Sequence, residues 1–269
     1  MIDIDKLSAS VPRSDDEYVD EDGLLHCKKC GEPLEAIYDV PIVGIRKCRF
    51  ICSCIKARLE AEKAFAEAEE HDRRRMICFH GSIFTESRFE NSKESELIKV
   101  GKNYADHFRD FKKMGKGLLF YGDVGTGKSH VAACIANEVI DNGYSAYMTN
   151  FSTIADEYFD AQDKQAYIDS LNRYDLLIID DLGIERKTEF MRERVFNVLD
   201  QRTLSGHPLV ITTNLTPEQL KKTVDIEEAR IYDRIFGCCH PVKAKGESYR
   251  RQKLKDDYKQ IEMILKGEI

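Results

Sequence analysis

The sequence predicts an α/β fold in which helices cover a parallel sheet, preceded by a small cysteine-containing module. Three features of the 269-residue chain predict this architecture. A glycine-rich loop at 122–129 lies between an apolar run and a helix-forming segment. Two further apolar runs, 176–181 and 208–214, end in polar residues, as buried strands of parallel sheets do. Five cysteines lie between residues 27 and 54.

The glycine-rich loop has the phosphate-binding pattern GxxxxGK[ST] between a predicted strand, 117–121, and a predicted helix, 130–140. Glycines let consecutive backbone N–H groups turn toward one point, and a helix N-terminus adds partial positive charge there. A polyphosphate such as that of ATP fits this loop, with Lys128 on the β and γ phosphates and Ser129 on Mg²⁺. The predicted nucleotide-binding residues are Gly122, Asp123, Val124, Gly125, Thr126, Gly127, Lys128, Ser129 and His130.

Composition divides the chain into four segments. Residues 1–26 are acidic and poor in apolar side chains, which favours a flexible lead-in. Residues 27–54 form the cysteine module. Residues 55–83 begin with a run rich in Ala, Glu, Lys and Arg, which predicts an exposed helical linker. Residues 84–269 hold the apolar runs and form the main domain.

The net charge of -7 argues against a protein that coats nucleic acid with its whole surface, although a local basic groove is compatible with it. No apolar run is long enough to span a membrane, and the first residues do not resemble a signal peptide. We therefore expect a cytoplasmic protein with no membrane partner.

The cysteine module is predicted to bind zinc. Cys27 and Cys30 form a CxxC pair followed by glycine, the form of a zinc knuckle. The second half is less regular, because Cys48, Cys52 and Cys54 compete for the two remaining tetrahedral positions. So small a core needs the folding energy that a metal supplies. Unliganded buried thiols are the alternative.

Between the motifs, the sequence predicts helices at 92–114, 152–163 and 188–204 and a strand at 144–149. The inner face of the helix at 188–204 is expected to consist of Phe190, Val195, Phe196 and Leu199. Thr216, Pro217 and Gln219 match a helix start with a capping box.

Polar residues at the ends of two predicted strands complete the candidate site. Asp180 is placed to hold Mg²⁺, and Asp181 to polarise an attacking water. Asn214 could orient the same water beside the γ-phosphate, or could merely end its strand. Two strands with ligands at their carboxyl ends are typical of α/β nucleotide sites.

Three arginines are further candidates. Arg230 and Arg234 are four residues apart on one predicted helical face, so both can point at the same partner. Arg250 lies near the start of the last predicted helix, where a cation is unfavourable unless a phosphate is near. Taken singly, each arginine could equally form a surface ion pair.

Five motifs in one order resemble the AAA+ ATPases of the DnaC/DnaI/IstB group, which are helicase loaders and transposition helpers. They are the loop 122–129, the run 176–183, Thr-Thr-Asn at 212–214, Arg-Ile-Tyr-Asp-Arg at 230–234 and Gly-Glu-Ser-Tyr-Arg at 246–250. The resemblance covers about residues 84–260 and implies a five-stranded parallel sheet of order 5-1-4-3-2. The cysteine module with its charged helix looks like an N-terminal zinc module found in many members.

The resemblance also implies roles for individual residues. Lys128 and Ser129 take the Walker A roles, Asp180 and Asp181 the Walker B roles, and Asn214 the sensor 1 role. Arg234, with Arg230 as a second candidate, corresponds to an arginine finger offered to a neighbouring subunit, and Arg250 to the sensor 2 arginine. Asp181 stands where most AAA+ members have Glu, which implies a slow, partner-stimulated ATPase. Family form favours Cys52 and Cys54 over Cys48.

The resulting prediction is an ATP-dependent loader that places a DnaB-type replicative helicase on single-stranded DNA and hydrolyses ATP between subunits of an oligomer. Its expected cofactors are ATP, Mg²⁺ and Zn²⁺. One alternative is an IstB-like ATPase helper of a transposase. Another is a zinc-containing DNA-binding adaptor in which ATP is only a structural switch.

Overall fold

The computed structural model describes residues 10, 12, 14–42, 44–183, 189–222, 226–246, 248, 258 and 261–266. The chain divides into two compact units, Met1–Glu70 and His71–Ile269. No helix within the described ranges is both long enough and apolar enough to cross a membrane.

The first unit contains two small antiparallel strand pairs. Strand β1 (Glu17–Val19) pairs with β2 (Leu25–Cys27), and β3 (Glu35–Val40) pairs with β4 (Gly44–Arg49). Four buried side chains form its core: Leu25, Cys27, Leu34 and Cys52. So few apolar groups bury little surface, which is why the cysteines matter to this unit.

Within the acidic segment 1–26, which was expected to be a flexible lead-in, residues 17–19 form β1 and residues 25 and 26 begin β2. Its Asp20 organises the turn between them, because the carboxylate accepts the N–H groups of Asp22 and Leu24 at 3.1 and 2.8 Å. The same carboxyl group pairs with His26. Local polar bonds of this kind order a segment that has little apolar surface, and composition does not reveal them.

Helix α1 (Ser53–Phe79) is longer at both ends than the run 55–75 from which it was predicted. Glu32 fixes its start, since the carboxylate accepts both the backbone N–H and the hydroxyl of Ser53, at 2.6 and 2.7 Å. Most side chains of its first five turns are exposed. The boundary between the two units falls within this helix.

The second unit is built on five parallel strands: β5 (Gly117–Tyr121), β6 (Ala146–Asn150), β7 (Leu176–Leu182), β8 (Leu209–Thr213) and β9 (Cys239–Lys243). Their order in the sheet is β6-β7-β8-β5-β9, and every neighbouring pair is parallel. Counted from the first strand of this sheet, the order is 5-1-4-3-2, so the predicted topology is confirmed.

Helices cover both faces of the sheet. They are α2 (Glu96–Asp106), α3 (Phe108–Met114), α4 (Lys128–Asp141), α5 (Phe151–Asp160), α6 (Lys164–Asn172), α7 (Glu189–Leu204), α8 (Pro217–Lys221) and α9 (Ile226–Cys238). Successive strand side chains alternate between two cores: Phe120 packs with α2 and α4, whereas Leu119 packs with α5, α7 and α9. This alternation is the period-2 geometry of a strand buried on both faces.

The helix predicted at 92–114 is two helices, because the backbone leaves helical dihedrals at His107. The helix predicted at 152–163 ends at Asp160, and α6 follows it. In α7, Val195 and Leu199 are buried and Phe196 is partly buried, as predicted, while the side chain of Phe190 lies outside the described residues. The capping box at Thr216 is confirmed.

One buried cation holds the starts of β7 and β8 in place. Arg202 on α7 is fully buried, and its guanidinium donates to the carbonyl oxygens of Leu171, Tyr174, Asp175 and Pro208. Burial lowers the pKa of Arg202 to about 10, so the group stays charged at neutral pH. These bonds fix the amino ends of the two strands whose carboxyl ends carry the candidate site.

Candidate functional site

The glycine-rich loop joins the end of β5 to the start of α4, and its glycines have backbone dihedrals that other residues rarely adopt. Gly125 has φ +84°, and a Cβ there would lie 2.0 Å from the Ser248 hydroxyl. Gly127 has φ +90° and caps α4 without a side-chain hydrogen bond. The N–H groups of the first turn of α4 are therefore not taken by a capping side chain, which is the geometry that binds anions.

Lys128 is the first residue of α4, and its side chain folds back over the loop. The residue is 6 % exposed. Its ammonium donates to the carbonyl oxygens of Gly122 and Asp123 at 2.9 and 2.7 Å, and to Asn214 Oδ1 at 2.8 Å. The Lys128 ammonium is thereby hydrogen-bonded directly to Asn214, a residue that the sequence predicted to be part of the site.

Asn214 lies directly after β8 and bridges the cation to a carboxylate. Its Oδ1 accepts from Lys128, and its Nδ2 donates to Asp181 Oδ1 at 2.9 Å. The amide uses one acceptor and one donor at once, so its orientation is defined by both neighbours. The residue therefore does more than end its strand.

The two aspartates at the end of β7 lie in a β-bulge. Ile179 is paired with Ile211 and Leu182 with Thr213, so Asp180 and Asp181 together oppose the single residue Thr212. Asp181 has φ +61°, a left-handed conformation that costs a non-glycine residue about 1–3 kcal/mol. Consecutive strand residues normally face opposite sides, yet here both carboxylates border the same cleft.

This cleft has a volume of about 310 Å³ and runs along the loop and the ends of β7 and β8. It is lined by Ile83, Phe84, Val124, Gly125, Gly127, Lys128, Ser129, His130, Asp180, Asp181 and Asn214. Every polar strand-end residue of the predicted site is present, together with most of the loop. The cleft can hold a polyphosphate at the loop and a divalent cation between the Ser129 hydroxyl and the Asp180 carboxylate, which are hard oxygen donors.

His130 connects the cleft to the segment before α2. The Ser92 hydroxyl donates to the Arg88 carbonyl at 2.6 Å, so the 2.8 Å contact between Ser92 and His130 has Nε2–H of the imidazole as donor. Burial lowers the pKa of His130, which keeps the ring neutral at physiological pH. The neutral ring then carries its proton on Nε2 and leaves Nδ1 as an acceptor.

A family model described as IstB-like ATP binding protein matches residues 103–256. The matched segment is more than half of the chain and contains the loop, both aspartates and Asn214. The chain belongs to this family. The resemblance inferred from the five motifs is thus confirmed.

Curated relatives of this IstB-like protein include two proteins named replicative helicase loaders. DnaI of Bacillus subtilis (strain 168) is 29% identical over 163 residues, which are 54% of this chain and 52% of DnaI. DnaC of Escherichia coli (strain K12) is 25% identical over 181 residues, which are 65% of this chain and 71% of DnaC. The chain therefore spans about half the length of DnaI.

Solved structures agree in fold. A crystal structure of DnaI superposes with a TM-score of 0.54 at 21% identity, covering 65% of this chain and 98% of that one. A crystal structure of the DnaC helicase loader gives 0.51 at 18% identity, covering 60% and 98%. The α/β fold expected for the AAA+ group is confirmed.

The two arginines of α9 make contacts within the IstB-like chain itself. The Arg234 guanidinium pairs with the Asp200 carboxylate on α7 at 2.8 Å, and the Arg230 guanidinium lies 5.3 Å from the centre of the Phe196 ring. Neither arginine lines the cleft described above. Arg250 lies outside the described residues, whereas Ser248, two residues earlier, packs on the loop at Gly125.

In the first unit, four of the five cysteines come together. The sulfurs of Cys27, Cys30, Cys52 and Cys54 lie within 4.8 Å of one another and could hold a metal ion. Cys48 is not in this group, because it lies in β4 opposite Ala36. The first pair comes from the end of β2 (Cys27) and the turn after it (Cys30), and the second from the residue before α1 (Cys52) and the first turn of α1 (Cys54).

The thiols in this cluster affect one another electrostatically. Donation from the backbone N–H of Cys30, aided by that of Lys29, lowers the pKa of Cys27 to about 7. The neighbouring Cys52 thiol, together with burial, raises the pKa of Cys54 to about 12. Four thiolates this close repel one another unless a cation neutralises them, and four tetrahedral sulfur ligands are the set that zinc prefers. The donor set fits Zn²⁺.

Sequence reasoning missed two parts of the site. Ile83 and Phe84 border the cleft from a short 3-10 helix at the boundary between the predicted linker and the main domain, where we had expected no site residue. Thr212 contacts both aspartates from β8. Two adjacent threonines at the end of an otherwise aliphatic central strand were the available signal, since buried hydroxyls need partners.

Proposed function

We propose that this IstB-like protein is an Mg²⁺-dependent ATPase whose site is the cleft around the glycine-rich loop. The observation that carries the proposal is the continuous chain of hydrogen bonds from Lys128 through Asn214 to Asp181. It joins a cation for phosphate, an amide that can orient water and a carboxylate that can polarise it. These are the groups needed for phosphoryl transfer to water.

In the proposed reaction, a water oxygen forms a bond to the γ-phosphorus while the bond to the β–γ bridging oxygen breaks. ADP leaves with that electron pair, inorganic phosphate is the second product, and the proton of the water is released. Asp181 and Asn214 hold the water in line, and Lys128 offsets charge on the phosphates. Ser129 and Asp180 would hold Mg²⁺, which supplies further charge neutralisation.

The biological role we propose is the loading of a DnaB-type replicative helicase onto single-stranded DNA. Support comes from the relatives DnaI and DnaC, both named replicative helicase loaders, at 29% and 25% identity. The role requires self-assembly into an oligomer that ATP stabilises. In this role the cysteine module, carrying Zn²⁺ on Cys27, Cys30, Cys52 and Cys54, contacts the helicase.

Assembly is proposed to complete the ATP site through an arginine of the neighbouring subunit. Arg234 is the first candidate and Arg230 the second. The Asp200–Arg234 ion pair is partly exposed, with side-chain exposures of 20% and 45%, and a pair of this kind is weak enough to open when a phosphate competes for the arginine. Hydrolysis would then depend on protein concentration as well as on ATP.

A pull-down with the cognate DnaB-type helicase tests the loader role. The full chain should retain the helicase with ATP and Mg²⁺, and Lys128→Ala should abolish the ATP-dependent part. Cys30→Ser should abolish retention with or without ATP, because it removes a zinc ligand. Retention of a transposase and not of the helicase would reverse the assignment.

The second candidate is an ATPase that assists a transposase. It is favoured by the family model, whose description names IstB-like proteins. Binding to duplex DNA distinguishes the candidates, since a transposition helper should bind duplex tightly without a helicase, and a loader should prefer single strands.

A further inference from the structure

The three consecutive residues after Ile211 all bond, through their side chains, to the end of β7. Thr212 contacts Asp180 and Asp181, Thr213 donates to the Leu182 carbonyl at 2.7 Å, and Asn214 donates to Asp181. These bonds occur where the bulge interrupts regular pairing between the strands. Side chains of β8 thus replace part of the backbone ladder at this point.

Thr212 has the central place among them. It is 1 % exposed and stands alone opposite the two aspartates. Its hydroxyl donates to Asp180 Oδ1 at 2.5 Å and accepts the backbone N–H of Asp181 at 2.9 Å. A threonine hydroxyl has a single hydrogen, and here that hydrogen is used in the bond to Asp180. The bond accepted from the N–H of Asp181 keeps the hydroxyl from rotating.

We propose that Thr212 is a positioning residue for the ATPase reaction, because its hydroxyl holds the bulge that brings both Walker B carboxylates to the cleft. The bond to Asp180 Oδ1 orients that carboxylate in the cleft, where it would be a ligand for Mg²⁺. The bond to the N–H of Asp181 supports the left-handed backbone that places its carboxylate beside Asn214. One hydroxyl therefore sets the metal ligand and the water-polarising group together.

The chemistry favours threonine at this position over its nearest substitutes. Valine has the same shape but offers neither a donor to Asp180 nor an acceptor to Asp181. Serine keeps both functions but lacks the β-branch that restricts χ1 in a strand. Outer-shell partners of metal ligands typically contribute roughly 10–100-fold to metal affinity or activity, which sets the expected size of the effect.

The test compares Thr212→Val with Thr212→Ser and with a matched control, Thr149→Val. Thr149 is a buried threonine on β6 of the same sheet, and its hydroxyl has no hydrogen-bond partner among the described residues. Two quantities are measured on the full chain: the affinity for a fluorescent ATP analogue with Mg²⁺ and with EDTA, and the Mg²⁺ concentration that half-saturates ATP turnover.

We expect Thr212→Val to bind the analogue normally in EDTA, to lose about 10–100-fold of the affinity gained on adding Mg²⁺, and to need correspondingly more Mg²⁺ for turnover. Thr212→Ser should lie close to the unsubstituted chain, and Thr149→Val should match it. Equal Mg²⁺ dependence in Thr212→Val and the unsubstituted chain would overturn the proposal. Equal weakening of analogue binding with and without Mg²⁺ would also overturn it, because a merely structural role predicts that.

A double-mutant cycle tests the proposal even if the Thr212→Val variant folds poorly. Asp180→Asn removes the charge that Thr212 orients, so Thr212→Ala, which also removes the hydroxyl, should change Mg²⁺ dependence less in that background than it does alone. Additive effects would contradict a role exerted through Asp180. The inference rests on the proposed ATPase function, but different results would refute the two. The function is refuted if the unsubstituted chain shows no Mg²⁺-dependent ATP turnover. Only the inference is refuted if the unsubstituted chain turns over ATP and Thr212→Val has the same Mg²⁺ dependence.

Discussion

Replacing Asn214 by alanine should separate ATP binding from ATP hydrolysis. The substitution removes two hydrogen bonds at once, the one from Lys128 at 2.8 Å and the one to Asp181 at 2.9 Å. Both partners are charged groups, and a hydrogen bond to a charged group contributes about 1.5–3 kcal/mol. Because the site is partly open to solvent, we take the lower value for each and obtain about 3 kcal/mol in total.

If this free energy is expressed mainly in the transition state, kcat falls by roughly two orders of magnitude. ATP affinity should change less than threefold, since Lys128 keeps its charge and its place on the loop. Single-turnover hydrolysis with radiolabelled ATP measures the chemical step, and equilibrium binding of a fluorescent analogue measures affinity. A variant that hydrolyses ATP at the normal rate but binds it weakly would refute this reasoning.

Two further variants sharpen the test. Asn214→Asp keeps an oxygen for Lys128 but places a second carboxylate against Asp181, so it should lose turnover and also weaken ATP binding through added negative charge. Asp163→Ala is the control, because Asp163 caps α6 by accepting the N–H groups of Gln165 and Ala166 and does not line the cleft. It should cost about 1 kcal/mol of stability and leave kcat unchanged.

Other substitutions test the remaining parts of the site. Lys128→Ala should abolish detectable ATP binding in the fluorescence assay, because the loop loses its only side-chain cation. Arg234→Ala should spare ATP binding and lower turnover by about 10³–10⁵-fold at concentrations where the chain assembles; full hydrolysis by the double variant Arg234→Ala, Arg230→Ala would exclude an arginine finger on α9. Cys30→Ser should release zinc and unfold the first unit, as measured by a colorimetric metal assay and by circular dichroism. Cys48→Ser should retain one zinc per chain. Metal loss in Cys48→Ser would contradict a site made of Cys27, Cys30, Cys52 and Cys54. Chelation of the unsubstituted chain should reproduce the Cys30→Ser result.

The phosphate loop and the carboxylates at the strand end were predictable because a short, continuous stretch of sequence specifies each of them. A glycine pattern between a strand and a helix specifies its own backbone geometry, and four aliphatic residues followed by aspartates specify a buried strand with its ligands at the end. The strand order came from the resemblance to a family and not from periodicity, since pairing partners far apart in sequence leave no local signal.

The cysteine ligands show where spacing alone is insufficient. From the sequence alone, Cys48, Cys52 and Cys54 were alternative ligands for the two remaining positions of the metal site. The resemblance to the family favoured Cys52 and Cys54. In the structure, the β3–β4 register holds Cys48 opposite Ala36, whereas the chain at the start of α1 brings Cys52 and Cys54 close to Cys27 and Cys30. That register depends on pairing across a hairpin, which cysteine spacing does not encode.

By itself, the sequence predicted what kind of ligand this protein handles: a nucleotide polyphosphate with its cation, and a metal ion held by thiols. Only the tertiary structure decided how the reacting groups are held. The bulge opposite Thr212, the bridge through Asn214 and the ion pair of Arg234 with Asp200 each join residues from separate strands or helices. Such contacts depend on strand register and helix packing, which the whole core fixes together, so no single stretch of sequence specifies them.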